Sequence, residues 1–220
     1  MLCGMAFSGW PDEAVEFFEG LQADNTKTYW TTHKPVYETC VHTPMAELLA
    51  ELAEEFGPGR TARPYRDVRF RADKSPYKTS IYAMLEDGGY VSFSADGLSA
   101  AIGYYMMEPD QLDRYRRAVA ADTTGASLAA VVERLTDDGI EVGGRNSLKR
   151  APKGYPADHP RIDLLRHKGL IAWRHWPTGA WLGTPAAKRR VVEFLRAAAP
   201  LHAWLDEHVG PTTEPARARR

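Results

Sequence analysis

Apolar positions in the first sixty residues recur at the spacing of helices. The pattern predicts a helix over residues 11–23, a second helix that Asn25 caps, and a third that begins at Pro44. The third helix is expected to end at Gly57-Pro58-Gly59, because glycine and proline both break helices. The apolar face of the first helix comprises Ala14, Val15, Phe17, Phe18 and Leu21.

The pattern changes after residue 60. Residues 67–73 alternate charged positions with small or apolar ones, which is typical of a strand with one polar face. Residues 90–94 and 98–106 flank an Asp96-Gly97 pair, and Asp-Gly supplies the backbone angles that tight hairpin turns need. We therefore expect strands in the middle of the chain, including one hairpin.

The second half of the chain returns to helical spacing with further strands. We expect helices over residues 109–121, 125–136 and 160–167, a strand pair of residues 140–142 with 147–149, and a strand over 170–176. Thr184-Pro185 is expected to open a long helix that Pro200 kinks or interrupts.

Helices at both ends, packed around a central and mainly antiparallel sheet, indicate an α+β fold. We expect a single compact domain over residues 1–210. Residues 211–220 have no apolar periodicity and are expected to form a flexible basic tail.

The charge and cysteine content of the chain limit the kinds of binding partner that the protein can have. The chain has 220 residues, 28 basic and 29 acidic, so no global charge would draw it onto nucleic acid or an anionic membrane. Cys3 and Cys40 are too few for a disulfide framework, and no segment resembles a signal peptide or a membrane span. We expect a cytoplasmic protein without a membrane partner, and its oligomeric state stays open.

Residues 66–79 carry five cations, two carboxylates and a Pro-Tyr pair. Guanidinium and ammonium groups at this density suit phosphate or carboxylate oxygens. Asp67 and Asp73 would orient the arginines or act as a base, and the Tyr77 ring would stack on a ligand or donate a hydrogen bond. The alternative is a structural lattice in which these charges pair with each other. The candidate anion ligands in this segment are Arg66, Arg69, Arg71, Lys74, Tyr77 and Lys78.

A second basic segment lies at residues 146–156, which contain three cations and no acid. Its Lys149 and Lys153 are further candidate anion ligands, and the two basic segments could line one cleft. The alternative is two separate solvated loops.

The segment Arg66-Asp67-Val68-Arg69-Phe70-Arg71-Ala72-Asp73-Lys74-Ser75-Pro76-Tyr77-Lys78-Thr79 resembles the signature of a bacterial and fungal family, domain of unknown function 2461. The resemblance extends over residues 7–205 and includes three further stretches. They are Phe17-Phe18-Glu19-Gly20-Leu21 with Asn25 and Tyr29-Trp30; Asp96-Gly97-Leu98 with Gly103-Tyr104-Tyr105; and Leu148-Lys149-Arg150-Ala151-Pro152-Lys153-Gly154-Tyr155. Arg71 and Thr31 depart from the family pattern. The resemblance implies one compact domain and supplies no activity, substrate or cofactor.

Familiar catalytic motifs are absent from the sequence. It contains no Walker loop, dinucleotide-binding glycine run, Gly-x-Ser-x-Gly elbow or His-Glu-x-x-His. The spacing of His159, Asp163 and His167 suits one helical face, but a solvated polar face is favoured over a metal site, and we expect neither metal nor cofactor.

The leading hypothesis is binding of a phosphorylated or carboxylated small molecule between the two basic segments, and the sequence does not say whether catalysis follows. The alternatives are a non-enzymatic module that binds nucleic-acid backbone or an acidic protein segment, and a purely structural ion-pair lattice.

Overall fold

The computed structural model describes residues 6–69, 72–144 and 146–213. The chain divides into two compact units. Unit 1 is the chain up to Ala100 together with His175–Leu195, and unit 2 is Ala101–Arg174 together with the chain from Arg196. None of the helices among the described residues is both long and apolar enough to cross a bilayer.

Six strands of the described residues form one sheet in the order β1-β2-β3-β4-β6-β5. The pairs β1–β2, β2–β3 and β5–β6 are antiparallel, and helices accompany the sheet, so the predicted α+β fold is confirmed. The strands are β1 Gly59–Thr61, β2 Ser80–Leu85, β3 Gly89–Ser94, β4 Gly97–Tyr104, β5 Glu141–Gly143 and β6 Leu170–Pro177.

The predicted hairpin is also confirmed, because β3 and β4 are neighbours joined at Asp96-Gly97. Gly97 has a φ of +129°, which L side chains rarely adopt, and a Cβ there would lie 2.1 Å from the carbonyl oxygen of Trp176. Glycine is therefore required at this turn.

The helices of unit 1 bury their apolar faces as the periodicity predicts. Trp10, before the first helix, stacks on Phe93 of β3 with ring centroids 4.8 Å apart and an interplanar angle of 6°. Phe18 meets the same ring edge-on at 5.9 Å. The helices are α1 Asp12–Ala23, α2 Lys27–Val36 and α3 Thr43–Phe56, with a π-helical segment Tyr37–His42 between the last two.

Two local predictions for this region are corrected. Thr26, not Asn25, caps α2: its hydroxyl accepts a hydrogen bond from the Tyr29 amide at 3.2 Å. The π-helical segment continues directly from α2 into α3 despite Pro35, and no sequence pattern signalled it.

Unit 2 contains α4 Pro109–Ala120, α5 Asp122–Asp137 and α6 Ile162–Arg166, close to the predicted bounds. The buried Tyr115 of α4 donates its hydroxyl to the carbonyl of Leu164 at 2.9 Å, which ties α4 to α6. The predicted strand pair about Gly143-Gly144 is wrong. Strand β5 pairs with β6, and Ser147 instead forms an isolated bridge with His167.

The last helix, α7, runs over Ala186–His208 with Pro200 inside it. Thr184 caps its beginning, because the Thr184 hydroxyl accepts from the Ala186 amide at 3.2 Å. The expected interruption at Pro200 does not end the helix.

Candidate functional site

The described residues of the first basic segment form a loop of unit 1. Residues 66–69 and 72–79 contain no strand, so the predicted strand over 67–73 is wrong for the residues described. The two ends of the loop meet at an isolated bridge between Tyr65 and Tyr77. The Arg66 amide donates to the carbonyl of Pro76, and the Lys78 amide donates to that of Pro64, both at 2.8 Å. We call residues 63–69 and 72–79 the basic loop.

The base of the basic loop is held by one side chain from the segment between α1 and α2. The carboxamide of Asn25 donates to the carbonyl of Tyr77 at 3.1 Å and accepts from the amide of the same residue at 3.0 Å. Tyr77 therefore has both backbone polar groups satisfied, as a strand neighbour would satisfy them.

The Tyr77 ring is buried with 5% exposure and stacks on Trp30 of α2 at 4.5 Å and 7°. Trp30 also contacts Phe17, Tyr37 and Tyr65 at ring-centroid distances of 5.9, 4.8 and 6.2 Å. The aromatic pair of Trp30 and Tyr77 thus anchors the loop in the core of unit 1. The structure places Tyr77 at the base of the loop and not at a ligand-facing surface.

The loop's carboxylates pair with its own arginines. The Asp67 carboxylate accepts hydrogen bonds from Nε and Nη2 of Arg69 at 3.0 and 2.7 Å. The Asp73 carboxylate accepts one from Nη1 of Arg66 at 2.6 Å. Asp73 also accepts the amide and hydroxyl of Ser75, at 2.9 and 2.6 Å. These arrangements match the ion-pair alternative for both arginines.

The same contacts decide the protonation of the two acids. Hydrogen bonds from Ser75, followed by the one from Arg66, lower the pKa of Asp73 from 3.8 to about 2. Hydrogen bonds from Arg69 hold the pKa of Asp67 well below its ordinary value. Both groups are ionised at neutral pH and accept protons poorly, so the geometry favours the orienting role over the base role.

The two lysines differ from the arginines because they are held by neutral groups. The ammonium of the exposed Lys74 donates to the carbonyl of Val68 at 3.0 Å. The half-buried Lys78 donates to the carbonyl of Arg63 and lies 4.8 Å from the ring centroid of Tyr82 in β2. Within the described residues, neither lysine has a carboxylate at ion-pair distance. Their positive charge is therefore not neutralised locally.

Lys78 and Tyr82 stand beside the face of β2 and β3 that points away from the core. The Tyr82 ring lies 5.5 Å from that of Tyr90. Because side chains alternate along a strand, this face contains serine, tyrosine and methionine but no acid. The outward positions are Ser80, Tyr82, Met84, Tyr90, Ser92 and Ser94.

The second basic segment belongs to unit 2, where both Lys149 and Lys153 are exposed. Its expected convergence with the first segment stays a prediction, and Arg71 lies outside the described residues. His159 accepts from the Arg161 amide and His167 bonds to Ser147, so these two imidazoles have separate protein partners. Within the described residues, no cluster of three His, Cys, Asp or Glu side chains could hold a metal ion.

The profile of a conserved hypothetical protein family, domain of unknown function 2461, matches residues 13–204. The chain belongs to this family. No curated protein matches the sequence. A conserved hypothetical protein from Pyrococcus furiosus is similar in structure over 79% of this chain and 98% of its own, with 11% sequence identity and a TM-score of 0.37.

Within this member of domain of unknown function 2461, two of the stretches that carried the resemblance meet at one place in unit 1. Asn25 and Trp30 both contact Tyr77, and Phe17 contacts Trp30. Sequence reasoning missed Tyr82 and Arg63 as neighbours of Lys78. No local motif marks them, because the contacts link the loop to a strand.

Proposed function

We propose that this protein binds a phosphorylated or carboxylated small molecule at a corner of unit 1 formed by Arg63, Lys78 and Tyr82. One observation carries the proposal: the side chain of Lys78 is partly buried, and its ammonium donates to a neutral carbonyl and lies over an aromatic ring. A cation whose hydrogen-bond partner is neutral keeps its full charge, and a bound anion would form the stronger, charge-assisted hydrogen bond with it.

The surroundings of Lys78 suit such a ligand. Arg63 is exposed and adds a second positive charge, and the adjacent outward face of β2 and β3 has no acid to repel an anion. The Tyr82 ring offers an apolar surface for the rest of the molecule. We propose Lys74 as a further positive charge for the same anion. Lys149 and Lys153 of unit 2 remain predicted anion ligands.

Calorimetric titration with inorganic pyrophosphate and with citrate tests the proposal. We expect Lys78→Ala to weaken binding at least about tenfold, because a hydrogen bond to a charged group contributes about 1.5–3 kcal/mol. Lys34→Ala is the matched control, since Lys34 is an exposed lysine of α2 in the same unit. Equal affinities of the wild type and Lys78→Ala would contradict the proposal.

A single-stranded oligothymidylate separates the small-molecule proposal from the nucleic-acid alternative. The logarithm of the binding constant for a nucleic-acid backbone falls linearly with the logarithm of the salt concentration, whereas a shaped small-molecule site depends more on ligand geometry. If Lys78→Ala lowers the free energy of unfolding and the wild-type protein binds none of the tested anions, the structural ion-pair lattice is the correct alternative.

We also propose a cytoplasmic location in a bacterial cell. The Cys40 thiol is free, as suits a reducing compartment. Fractionation of a bacterium expressing the tagged chain from its native gene tests this, and recovery outside the cytoplasm would refute it.

A further inference from the structure

Ser147 and His167 of unit 2 form a hydrogen-bonded pair that no sequence motif predicts. The Ser147 hydroxyl lies 2.7 Å from Nδ1 of His167. Two backbone hydrogen bonds fix the pair: the Leu148 amide donates to the carbonyl of Arg166 at 2.8 Å, and the Lys168 amide donates to that of Asn146 at 3.1 Å. Ser147 and His167 are therefore held opposite each other as in an antiparallel ladder.

The surroundings leave the hydroxyl accessible and the imidazole sheltered. Ser147 is exposed, whereas His167 is half-buried. A Cβ on Gly144 would lie 3.2 Å from Nδ1 of His167 and 2.3 Å from the carbonyl oxygen of Gly169, so this close approach requires glycine. The Gly144 backbone thus packs directly against the imidazole, and its carbonyl oxygen lies 3.4 Å from the Ser147 hydroxyl.

The protonation of His167 suits a base. Burial lowers the pKa of His167 below 6.5, and the Asp163 charge opposes this shift by favouring the protonated imidazole. The ring is neutral at neutral pH and can accept the serine proton, while Asp163 stabilises the imidazolium that forms.

We propose that Ser147 is a nucleophile and His167 its general base, acting on esters whose acyl group carries a negative charge. The preference for an anion follows from three exposed cations next to the pair in the chain. They are Lys149, Arg150 and Lys168.

The reaction proceeds in two balanced halves. The Ser147 oxygen attacks the ester carbonyl carbon while its proton moves to Nδ1 of His167; the bond from the carbonyl carbon to the alkoxy oxygen then breaks, and that oxygen takes the proton from His167. The oxygen of a water molecule next attacks the acyl carbon while one of its protons moves to His167. The bond from the acyl carbon to the Ser147 oxygen then breaks, which releases the acid, and the Ser147 oxygen takes the proton from His167. The net change is ester plus water to acid plus alcohol.

The first test treats the full chain with an alkyl fluorophosphonate, which bonds a reactive serine oxygen to phosphorus and releases fluoride. Peptide mass spectrometry should find the label on Ser147, and Ser147→Ala and His167→Asn should each reduce total labelling at least tenfold. Ser99→Ala is the matched control, because Ser99 lies 3.0 Å from Nδ1 of His175 in unit 1 and should not affect labelling. No label on wild-type Ser147, or labelling that His167→Asn leaves unchanged, would overturn the proposal.

The second test measures hydrolysis of p-nitrophenyl succinate against that of neutral p-nitrophenyl butyrate. The anionic ester should have the higher kcat/KM, and Lys168→Ala should reduce this preference at least threefold. Equal reactivity of both esters would refute the anionic substrate class. The position of the fluorophosphonate label is determined on the wild-type chain. This result therefore tests the proposal even if a variant fails to fold.

Discussion

The carboxamide of Asn25 forms two hydrogen bonds with the backbone of Tyr77, 52 residues further along the chain. A single side chain thereby replaces the strand that would otherwise pair with this segment. The contact also places the Tyr77 ring on Trp30 of α2, so the basic loop is tied both by hydrogen bonds and by stacking. The position of the proposed anion site depends on this attachment, since Lys78 follows Tyr77 directly.

Replacing Asn25 should loosen the loop and destabilise the protein. Asn25→Ala leaves the amide and carbonyl of Tyr77 unpaired, and we expect the free energy of unfolding to fall by about 1–3 kcal/mol. Urea denaturation measures the change. Gln22→Ala on α1 is the control, because it removes an exposed amide and should have almost no effect. A loss no larger than that of the control would show that the two hydrogen bonds do not support the loop.

Trp30 should be the costliest aromatic residue to remove from the base of the loop. It is 5% exposed and contacts several rings, so Trp30→Ala should lower the free energy of unfolding by about 3–5 kcal/mol. Trp30→Phe retains an aromatic ring against Tyr77 and should cost clearly less. Thermal and chemical denaturation of both variants provide the comparison, and equal losses would argue against a stacking contribution.

Asp73 should contribute to the acid sensitivity of the fold. Its pKa in the folded protein is about 2, below the ordinary 3.8, so its stabilising contribution is complete above pH 3.8 and is lost as the pH falls towards 2. Asp73→Asn removes this contribution, and its stability should fall less steeply than that of the wild type across this window. Denaturation at a series of pH values tests the expectation. Glu16→Gln, an exposed acid of α1, is the control, and acid profiles of Asp73→Asn and wild type with the same slope would contradict the prediction.

Asp110 should hold the chain that follows α7 against α4 within unit 2. Its carboxylate accepts the Thr213 amide at 2.8 Å and the Thr212 hydroxyl at 2.7 Å. Asp110→Ala should therefore speed hydrogen exchange of the Thr213 amide about tenfold, since a local opening then exposes it. Asp113→Ala is the control, because Asp113 pairs with the exposed Arg117 on the same helix. Unchanged exchange in Asp110→Ala would show that other contacts hold this segment.

Local periodicity was sufficient to predict most of the helices. The apolar stripes of α1, α3 and α4 and the Asp96-Gly97 turn are encoded within a few residues, so their positions agree with the structure. The same reasoning failed where one pattern suits two structures. Residues 67–73 alternate in charge like a strand, but Asp67 and Asp73 pair with arginines of their own loop.

The candidate site was predicted only in part for the same reason. A surplus of cations is visible in the sequence, and it made Lys78 one of several candidate anion ligands. Which cations are neutralised depends on side-chain geometry, and the sequence could not separate Arg66 and Arg69 from the two lysines. Contacts between distant residues, such as Ser147 with His167, leave no local signal at all.

The sequence by itself determined the α+β class and the concentration of charge at residues 66–79, because short-range periodicity and composition encode them, and its motifs resembled the family whose profile matches the chain. Tertiary structure decided that the described residues of this segment form a loop, that Tyr77 is its buried anchor and that Lys78 lies over Tyr82. The physical reason is that backbone hydrogen bonds and ring stacking are satisfied by whichever partner the fold brings near, and the partners here are far away in the chain.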